Sequence, residues 1–365
     1  MKRKLIFNLI IFFNVWLFLS ASAQTEKKEN FFTSFGVGAR AYVLKASFVS
    51  IANDYTATHW NPAGIAFLSK MQGGAMHSKL SFNRQIGFVS LIVPIDERNK
   101  IGLSWKGFLV NEIPGRTSNT LTPDYFFNNI EQAFVLTYAR RIFYNLSVGI
   151  NMDFLHQSIN NVNAGGWGLD VGLMYQLNRY TKVGLVLYDY HSHLKWATGH
   201  TDYFKKVGRL AFSYRLNSYS LMAAGIEGDN QLSAGSEVRL MKPLVLRMGW
   251  QDKFLSLGMG LKFNISNMEL NFNYAITNHR LTDQLSHIFD LSVVFQSKRK
   301  FRLATIKTGK LNVRSGPGFN YKKVGVVKKG QRFLVLAKRS KWIKIKYAGK
   351  KTGWIKKDYA SIRNT

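Results

Sequence analysis

The residues of this sequence that are able to do chemistry stand at spacings that suit neither catalysis nor metal binding. His191-Ser192-His193 is the one compact histidine pair, and no third ligand of the kind a zinc site needs lies near it. His287 and Asp290 lie three residues apart in a segment that reads as a strand, so their side chains point to opposite faces and make a poor dyad. The 365 residues include no cysteine, which excludes thiolate nucleophiles and cysteine-bearing metal sites. We therefore predict no enzyme activity, no metal and no cofactor.

The elements that would carry these residues follow a period of two from Gly74 to Phe295. In FLSLGMGLKFN (254–264) every second residue is large and apolar, and the residues between are Ser, Gly, Lys or Asn. Side chains of a strand point to alternate faces, so such a segment has one apolar and one polar surface. We predict fourteen strands, near 74–80, 84–95, 100–110, 131–141, 145–158, 166–177, 182–190, 207–216, 219–227, 231–239, 244–250, 254–264, 267–277 and 286–295.

A soluble β-sandwich and an outer-membrane β-barrel both produce this pattern. Three features favour the barrel: segments near ten residues long, aromatic residues near their ends (Trp105, Tyr144, Tyr190, Trp250 and Tyr274), and connections that alternate in length. Joints such as 96–99 and 178–181 are short, whereas 111–130, 191–206 and 278–285 are long. We therefore predict an all-β fold with a barrel of about fourteen antiparallel strands over 70–295. The aromatic Phe295 ends the last strand, as in the closing strand of outer-membrane proteins.

The N-terminus indicates the cellular compartment of the protein, and the charge distribution indicates a domain boundary. Residues 1–23 combine Lys2, Arg3 and Lys4 with an apolar stretch and the small residues 21–23, which predicts a cleaved signal peptide; a retained anchor helix is the alternative. From Gln296 to Thr365 there are 22 Lys and Arg against the single acid Asp358. Since the whole chain carries +31, most of the excess charge belongs to this tail. Two modules joined by a basic linker at 296–303 are expected.

Residues 24–69 break the alternation, and part of this segment resembles a known family. Gly38-Ala39-Arg40-Ala41, then Ala52-Asn53-Asp54, then Trp60-Asn61-Pro62-Ala63-Gly64 resemble the N-terminus of PorV/PorQ-type outer-membrane proteins, relatives of the FadL fatty-acid transporters. The stretch Leu44-Lys45-Ala46-Ser47 departs from the glycine-rich form typical of that family. The resemblance implies that this segment packs inside the barrel as a hatch. The hatch motif residues are Asn53, Asp54, Trp60, Asn61, Pro62 and Gly64.

Two interpretations of the hatch motif remain open. Asn61, Pro62 and Gly64 either cap and turn the plug, or they belong to a gate for a hydrophobic ligand. The predicted lumen is charged rather than hydrophobic, and we expect its side chains to pair with one another and with the plug. The inward positions on the predicted register include Asp153, Asp170, Arg209, Arg215, Glu237, Arg239, Arg247, Lys262, Glu269 and Asp290.

The sequence pattern changes after the linker. LNVRSGPG (311–318), KWIKIKYAG (341–349) and TGWIKK (352–357) are short apolar strands with turn signals, and together they resemble a bacterial SH3-like (SH3b) domain over 304–365. That resemblance implies a module that binds peptidoglycan or a peptide. Its candidate binding residues are Tyr321, Trp342, Tyr347 and Trp354, and filling the domain core is the alternative for each. Lipopolysaccharide phosphate is another anionic candidate, whereas export argues against nucleic acid.

Three functions fit these features. A PorV/PorQ-type protein is expected to be an accessory of type IX-like protein secretion or surface attachment, with secretion proteins or exported cargo as partners. A FadL relative is expected to be a channel for long-chain fatty acids or other hydrophobic small molecules. The tail by itself favours a structural tether between the outer membrane and the cell wall. In each case the barrel contacts outer-membrane lipid and the tail is expected in the periplasm.

Overall fold

The computed structural model describes residues 35–80, 82–228, 230–252, 254–278, 285–296, 302–349 and 351–364. The chain divides into two compact units, with the boundary between Gln296 and Ser297. The predicted signal peptide and most of the predicted linker lie outside the described residues. None of the helices within the described ranges is long and apolar enough to cross a membrane.

The first unit is a closed antiparallel barrel. Fourteen described strands, β1–β7 and β10–β16, pair each with the next, and β16 pairs with β1 to close the ring. The strands are β1 Gln72–Leu80, β2 Arg84–Pro94, β3 Asn99–Gly115, β4 Tyr125–Phe143, β5 Leu146–Ile159, β6 Val162–Gln176, β7 Thr181–Tyr188, β8 His193–Trp196, β9 Thr201–Tyr203, β10 Val207–Arg215, β11 Ser220–Glu227, β12 Gln231–Arg239, β13 Leu244–Gln251, β14 Phe254–Ile265, β15 Met268–Asn278 and β16 Leu285–Phe295. The predicted barrel of about fourteen strands is confirmed.

Alternation along the strands sorts side chains between the lumen and the outer surface. On β13, Leu246, Met248 and Trp250 are 42–52% exposed on the outside, while Arg247 and Gly249 between them are buried inside. A sandwich would bury the large apolar residues instead. The exposed apolar band is what a barrel presents to lipid.

The two ends of the barrel differ in their connections. We call the end with the turns 95–98, 144–145, 177–180, 216–219, 240–243 and 266–267 the turn end, and the opposite end the loop end. The predicted loop 111–130 is wrong at both ends, because β3 continues to Gly115 and β4 begins at Tyr125. A β-bulge between Val110 and Ile113 lets this pair of strands continue past the rim.

The predicted loop 191–206 also contains structure of its own. Strands β8 and β9 form a hairpin that pairs with β6. Leu194 and Phe204, both buried, pack there against Ala133, Leu155 and Ala164 of the barrel wall. The hairpin therefore covers part of the lumen at the loop end.

The segment before β1 fills the lumen as a plug. It consists of helix α1 (Ala39–Leu44), a 3₁₀ helix (Lys45–Ser50), helix α2 (Ala57–Trp60) and a second 3₁₀ helix (Pro62–Phe67). Its apolar side chains, such as Phe48 and Ile65, are fully buried and form one core with wall residues such as Phe88 and Met174. Burial of this apolar area, at about 25 cal/mol per Å², is the main force that holds the plug in place.

The second unit is a small seven-stranded sheet with its own core. Its strands are β17 Arg302–Ile306, β18 Lys310–Arg314, β19 Lys323–Lys328, β20 Arg332–Arg339, β21 Trp342–Tyr347, β22 Lys351–Lys356 and β23 Ala360–Asn364, with a 3₁₀ helix at Lys357–Tyr359. They lie in the order β19-β18-β22-β21-β20-β17-β23. Val313, Ile343, Ile345 and Ile355 are fully buried in the core.

Candidate functional site

The wall of the barrel is shaped to receive the plug backbone. At Gly249 an added Cβ would overlap the carbonyl oxygen of Val43, and at Gly184 it would overlap that of Val49. An added Cβ at Gly149 or at Gly172 would in the same way overlap Pro62. Glycines on the inner face of the strands therefore form a seat that a side chain would block.

Arg40 ties the plug to the wall by ionic contacts. Its guanidinium donates two parallel bonds to Glu237 of β12, from Nε to Oε2 at 2.7 Å and from Nη2 to Oε1 at 2.6 Å. Its Nη1 donates to Asn53 Oδ1 at 2.7 Å and to Asp54 Oδ2 at 2.9 Å. Burial alone lowers the pKa of Arg40, but Glu237 and Asp54 outweigh it and leave that pKa above its ordinary value. Arg40 is therefore permanently charged inside the barrel.

The same network continues around the lumen. Arg247 donates to Glu237 Oε2 at 2.7 Å and to Asn273 Oδ1 at 2.9 Å. Asn273 in turn donates to Asp290, whose other oxygen accepts the backbone N–H of Ala39 at 2.6 Å. The lumen charges at these positions pair with one another and with the plug, as their inward register predicted.

The Trp60-Asn61 part of the motif joins the plug to the other side of the wall. Asn61 caps the second 3₁₀ helix through the N–H of Ala63, and its amide donates to the carbonyls of Val49 at 3.0 Å and of Leu173 on β6 at 3.2 Å. The carbonyl of Trp60 accepts the hydroxyl of Tyr188 at 2.7 Å. These contacts are structural ones, which is the simpler of the two interpretations of the motif.

The remaining motif residues also serve the fold of the plug. Asp54 Oδ1 accepts the N–H and the hydroxyl of Thr56 at the start of α2. At Gly64 an added Cβ would overlap the carbonyl oxygen of Ala52. Lys45, in the stretch that departs from the glycine-rich form, adopts φ 54°, a region that favours glycine. The sequence therefore places a lysine in a strained backbone conformation directly after α1.

His59 lies on α2, where the plug meets strands β2 and β7 of the wall. Burial, followed by the positive charges of Lys106 and Arg209, lowers the pKa of His59 well below its ordinary value. Its ring contacts Trp60, Phe88 and Tyr188, and its Nε2 has no hydrogen-bond partner among the described residues. The imidazole is therefore neutral in the seated plug.

Most of the other residues predicted to face the lumen have polar or charged partners, and two arginines are exceptions. Arg209 meets Glu227 at 2.8 Å, and Lys262 lies 3.7 Å from Glu269. Asp170 accepts bonds from the Asn151 amide and from the backbone N–H of Asp189. Arg215 and Arg239 have no anionic partner in the described part of the chain. Within those same ranges, no group of three or more acidic or histidine side chains is arranged to hold a metal.

The second unit presents a basic aromatic face, which we define as Arg314, Phe319, Trp342, Lys344, Trp354 and Lys356. Cross-strand pairing places Trp342 beside Lys356, Lys344 beside Trp354, and Trp354 beside Arg314, all on the side away from the core. Phe319 is 62% exposed, and its ring packs edge-on against Trp342 with centroids 5.1 Å apart. Arg314 and Lys356 each lie about 5.4 Å from the Phe319 ring.

The four predicted aromatic residues of this unit divide between surface and core. Tyr321 is exposed, Trp354 is half-buried, and Trp342 is buried under Phe319. Tyr347 belongs to the core, where its hydroxyl donates to the carbonyl of Val324 at 2.9 Å. An added Cβ at Gly316 would overlap the Tyr321 ring, which explains the small residues of this turn. Sequence reasoning missed Phe319; the signal was a large aromatic directly after the Gly-Pro-Gly turn.

The described residues thus define a plugged fourteen-stranded barrel followed by a small all-β domain. The barrel resembles solved transport proteins: the Pseudomonas putida toluene transporter TodX (TM-score 0.54, 12% identity, 72% of this chain and 99% of that chain) and the CymD monoaromatic hydrocarbon channel (0.52, 14%, 72% and 98%). A Pseudomonas aeruginosa FadL homologue aligns with TM-score 0.50 at 12% identity over 71% of this chain and 97% of that chain. The barrel has the FadL-like fold.

Residues 309–361 match the family model described as bacterial SH3 domain. The same region is similar to the putative N-acetylmuramoyl-L-alanine amidase YrvJ of Bacillus subtilis strain 168, with 39% identity over 68 residues, 17% of this chain. The alignment spans only 13% of that curated relative. The predicted SH3-like domain is confirmed.

Proposed function

We propose that this protein is an outer-membrane barrel whose SH3 domain lies in the periplasm and binds peptidoglycan, so that the chain joins the outer membrane to the cell wall. The basic aromatic face is the observation that carries the proposal. An exposed ring flanked by cations suits a polymer of sugars and carboxylate-bearing peptides, because the ring stacks on a sugar and the cations pair with carboxylates. The similar region of YrvJ belongs to a protein named as a putative N-acetylmuramoyl-L-alanine amidase.

The course of the chain supports the orientation. Strand β16 ends at Phe295, level with the turn 266–267, so the chain leaves the barrel at its turn end. Outer-membrane barrels keep their short turns in the periplasm. The net charge of the tail also raises the local concentration of anionic wall polymers.

The test is sedimentation of the full-length protein, in detergent micelles, with purified peptidoglycan at about 0.15 M salt, near the physiological range. We expect the wild type to pellet and a chain ending at Gln296 to stay in solution. Phe319→Ala and Trp354→Ala should each reduce the bound fraction severalfold, because they remove the stacking surfaces. Lys329→Ala is the matched control and should bind normally, because Lys329 follows β19 beside Gly309, away from Arg314 at the other end of β18. Equal binding by all of these proteins would rule the proposal out.

A channel for hydrophobic small molecules is the second candidate, and the FadL-like fold favours it. The plug fills the middle of the lumen, so transport requires the plug to move, with the Arg40–Glu237 contact as its latch. Uptake of a radiolabelled long-chain fatty acid by cells expressing the wild type and Arg40→Met tests this. An increase with the variant supports a gate, and no uptake by either protein contradicts the channel.

The PorV/PorQ-type role in secretion is a third proposal and rests on the motif at 36–64 and on the long loops that are able to contact cargo outside the cell. Purification from the native membrane in mild detergent, with mass analysis of co-eluting proteins, tests it. Stoichiometric secretion components or exported cargo would support that role, and their absence from a preparation that retains peptidoglycan would favour the tether.

A further inference from the structure

Charged side chains on the inner face of the barrel differ between its two ends. The cations facing the lumen near the turn end are Lys100, Arg141, Lys182, Arg215, Arg239 and Lys262. Glu269 is the one acidic residue among the inward strand positions at that rim in the described ranges. The turn end of the lumen is therefore strongly basic.

A cavity of about 230 Å³ opens into this basic region between the plug and the wall. Arg40, Asn53 and Asp54 line it from the plug, and Arg215 and Arg239 are among the residues that line it from the wall. A volume of this size holds several water molecules, or a small polar ligand in their place.

The carboxylates around the cavity already have partners. Glu237 pairs with Arg40 and Arg247, and Asp290 accepts from Asn273 and Ala39. Asp54 pairs with Arg40, and Glu269 lies near Lys262. Arg215 and Arg239 are left over as cations without an anion, within the part of the chain that the structure describes.

These two arginines are placed to act on one ligand. Arg215 pairs with Leu221, and Leu221 pairs with Glu237, two residues before Arg239 on β12. The two Cα atoms are thus separated by one intervening strand and by two residues along β12, roughly 12 Å in all. Both side chains are exposed, and an arginine side chain is long enough for the two guanidinium groups to contact one ligand across such a gap. On the plug side, Asn53 turns its amide oxygen to Arg40, which leaves its Nδ2 donor for a ligand.

We propose that the turn-end cavity is a binding site for a phosphate group, held by Arg215 and Arg239 of the wall and by the Asn53 amide of the plug. Guanidinium pairs match the geometry and double charge of phosphate. The strands separate the cavity from the bilayer, so the ligand is a soluble phosphate compound that enters from the turn end, not a membrane lipid. A bound phosphate would bridge plug and wall. This site is independent of the proposed wall binding.

The test needs a local signal, because the basic tail also attracts anions. The chain has no cysteine, so Ser218→Cys at the cavity carries a single environment-sensitive fluorophore, and Ser340→Cys in the SH3 domain carries the same label as a control. Full-length protein in uncharged detergent is titrated with inorganic diphosphate at about 0.15 M salt. We expect a saturable change at position 218, weakened at least tenfold by Arg215→Gln with Arg239→Gln, and preserved in Arg140→Gln, a cation on the outer face of β4.

Three outcomes would overturn the proposal. The first is no saturable change at position 218 in the wild type. The second is equal weakening in Arg140→Gln, which would indicate general charge screening. The third is a response to short-chain phosphatidylglycerol in the micelle but not to diphosphate, which would assign the cavity to lipid.

Discussion

Arg40 of the plug donates two parallel hydrogen bonds, of 2.7 and 2.6 Å, to Glu237 of β12. Glu237 also accepts a hydrogen bond from Arg247. Removing Arg40 leaves Glu237 paired with Arg247 alone and leaves Asp54 without its cation, which we expect to cost about 3 kcal/mol, the lower end of the range for a broken buried pair. Because the cavity beside this contact opens to the turn end, we expect the plug to loosen from that side.

The first prediction concerns Arg40. In Arg40→Met, a thiol placed at the fully buried Ser50 should react with a maleimide about a hundredfold faster or more, since each 1.4 kcal/mol is a factor of ten. Arg40→Lys keeps the charge but loses the parallel bonds, so its rate should be intermediate. Labelling of Arg40→Met at the wild-type rate would show that the ionic latch does not hold the plug.

The second prediction concerns the glycine seat. Gly249→Ala places a Cβ against the backbone of Val43, where neither side can yield easily, and should destabilise the seated plug by about 1–3 kcal/mol. The matched control is Gly165→Ala, because nothing lies within 4 Å of a Cβ at Gly165. The same Ser50→Cys labelling should accelerate in the first variant only. Similar rates in both variants would mean that the plug does not need this close approach.

The third prediction is a pH dependence. The pKa of His59 is depressed in the seated plug, whereas a released His59 has an ordinary pKa near 6.5. The released state therefore binds the extra proton, so the plug is most stable above about pH 6.5 and loses stability as the pH falls below it. Plug opening should rise up to tenfold per pH unit in that range. His59→Phe preserves the ring contacts and should remove this part of the slope; an unchanged slope would show that His59 is not its source.

The fourth prediction concerns orientation. Leu121 lies 99% exposed at the loop end, and Ser340 lies at a tight turn of the SH3 domain. In intact cells, a membrane-impermeant thiol reagent should label Leu121→Cys at once and Ser340→Cys only after the outer membrane is permeabilised. The reverse pattern would place the SH3 domain outside the cell and remove the basis for wall binding.

The sequence predicted the barrel well because period-two alternation reports directly which face of a strand is apolar. It underestimated β3 and β4. The extension of β3 past Val110 contains Pro114 and Gly115, which are typical of loops, and the extension of β4 before Glu131 contains two adjacent asparagines that interrupt the apolar pattern. It also placed the inward residues correctly without identifying their partners. Alternation shows that Gly249 faces inward, but only the plug explains why it is glycine.

The SH3 domain shows the same limit. Alternation assigned Trp342 and Ile343 to opposite faces, and the structure confirms it. The exposure of Trp342 depends on Phe319, whose ring covers it. Phe319 lies in a turn, and sequence periodicity does not predict the path of a turn. Contacts made by turns and by the plug arise from the tertiary fold, so they could not be read from local patterns.

The unequal distribution of lumen charge has an electrical consequence. Acidic side chains are concentrated toward the loop end, with Glu131, Asp153, Asp170, Asp189 and Glu227 near two cations, Lys106 and Arg209, whereas the turn-end rim is basic. A pore with fixed charges of opposite sign at its two mouths passes more ionic current at one voltage polarity than at the other. A plug-free barrel in a planar bilayer should therefore behave as a rectifier, and the sign of its rectification would report which way each molecule had inserted.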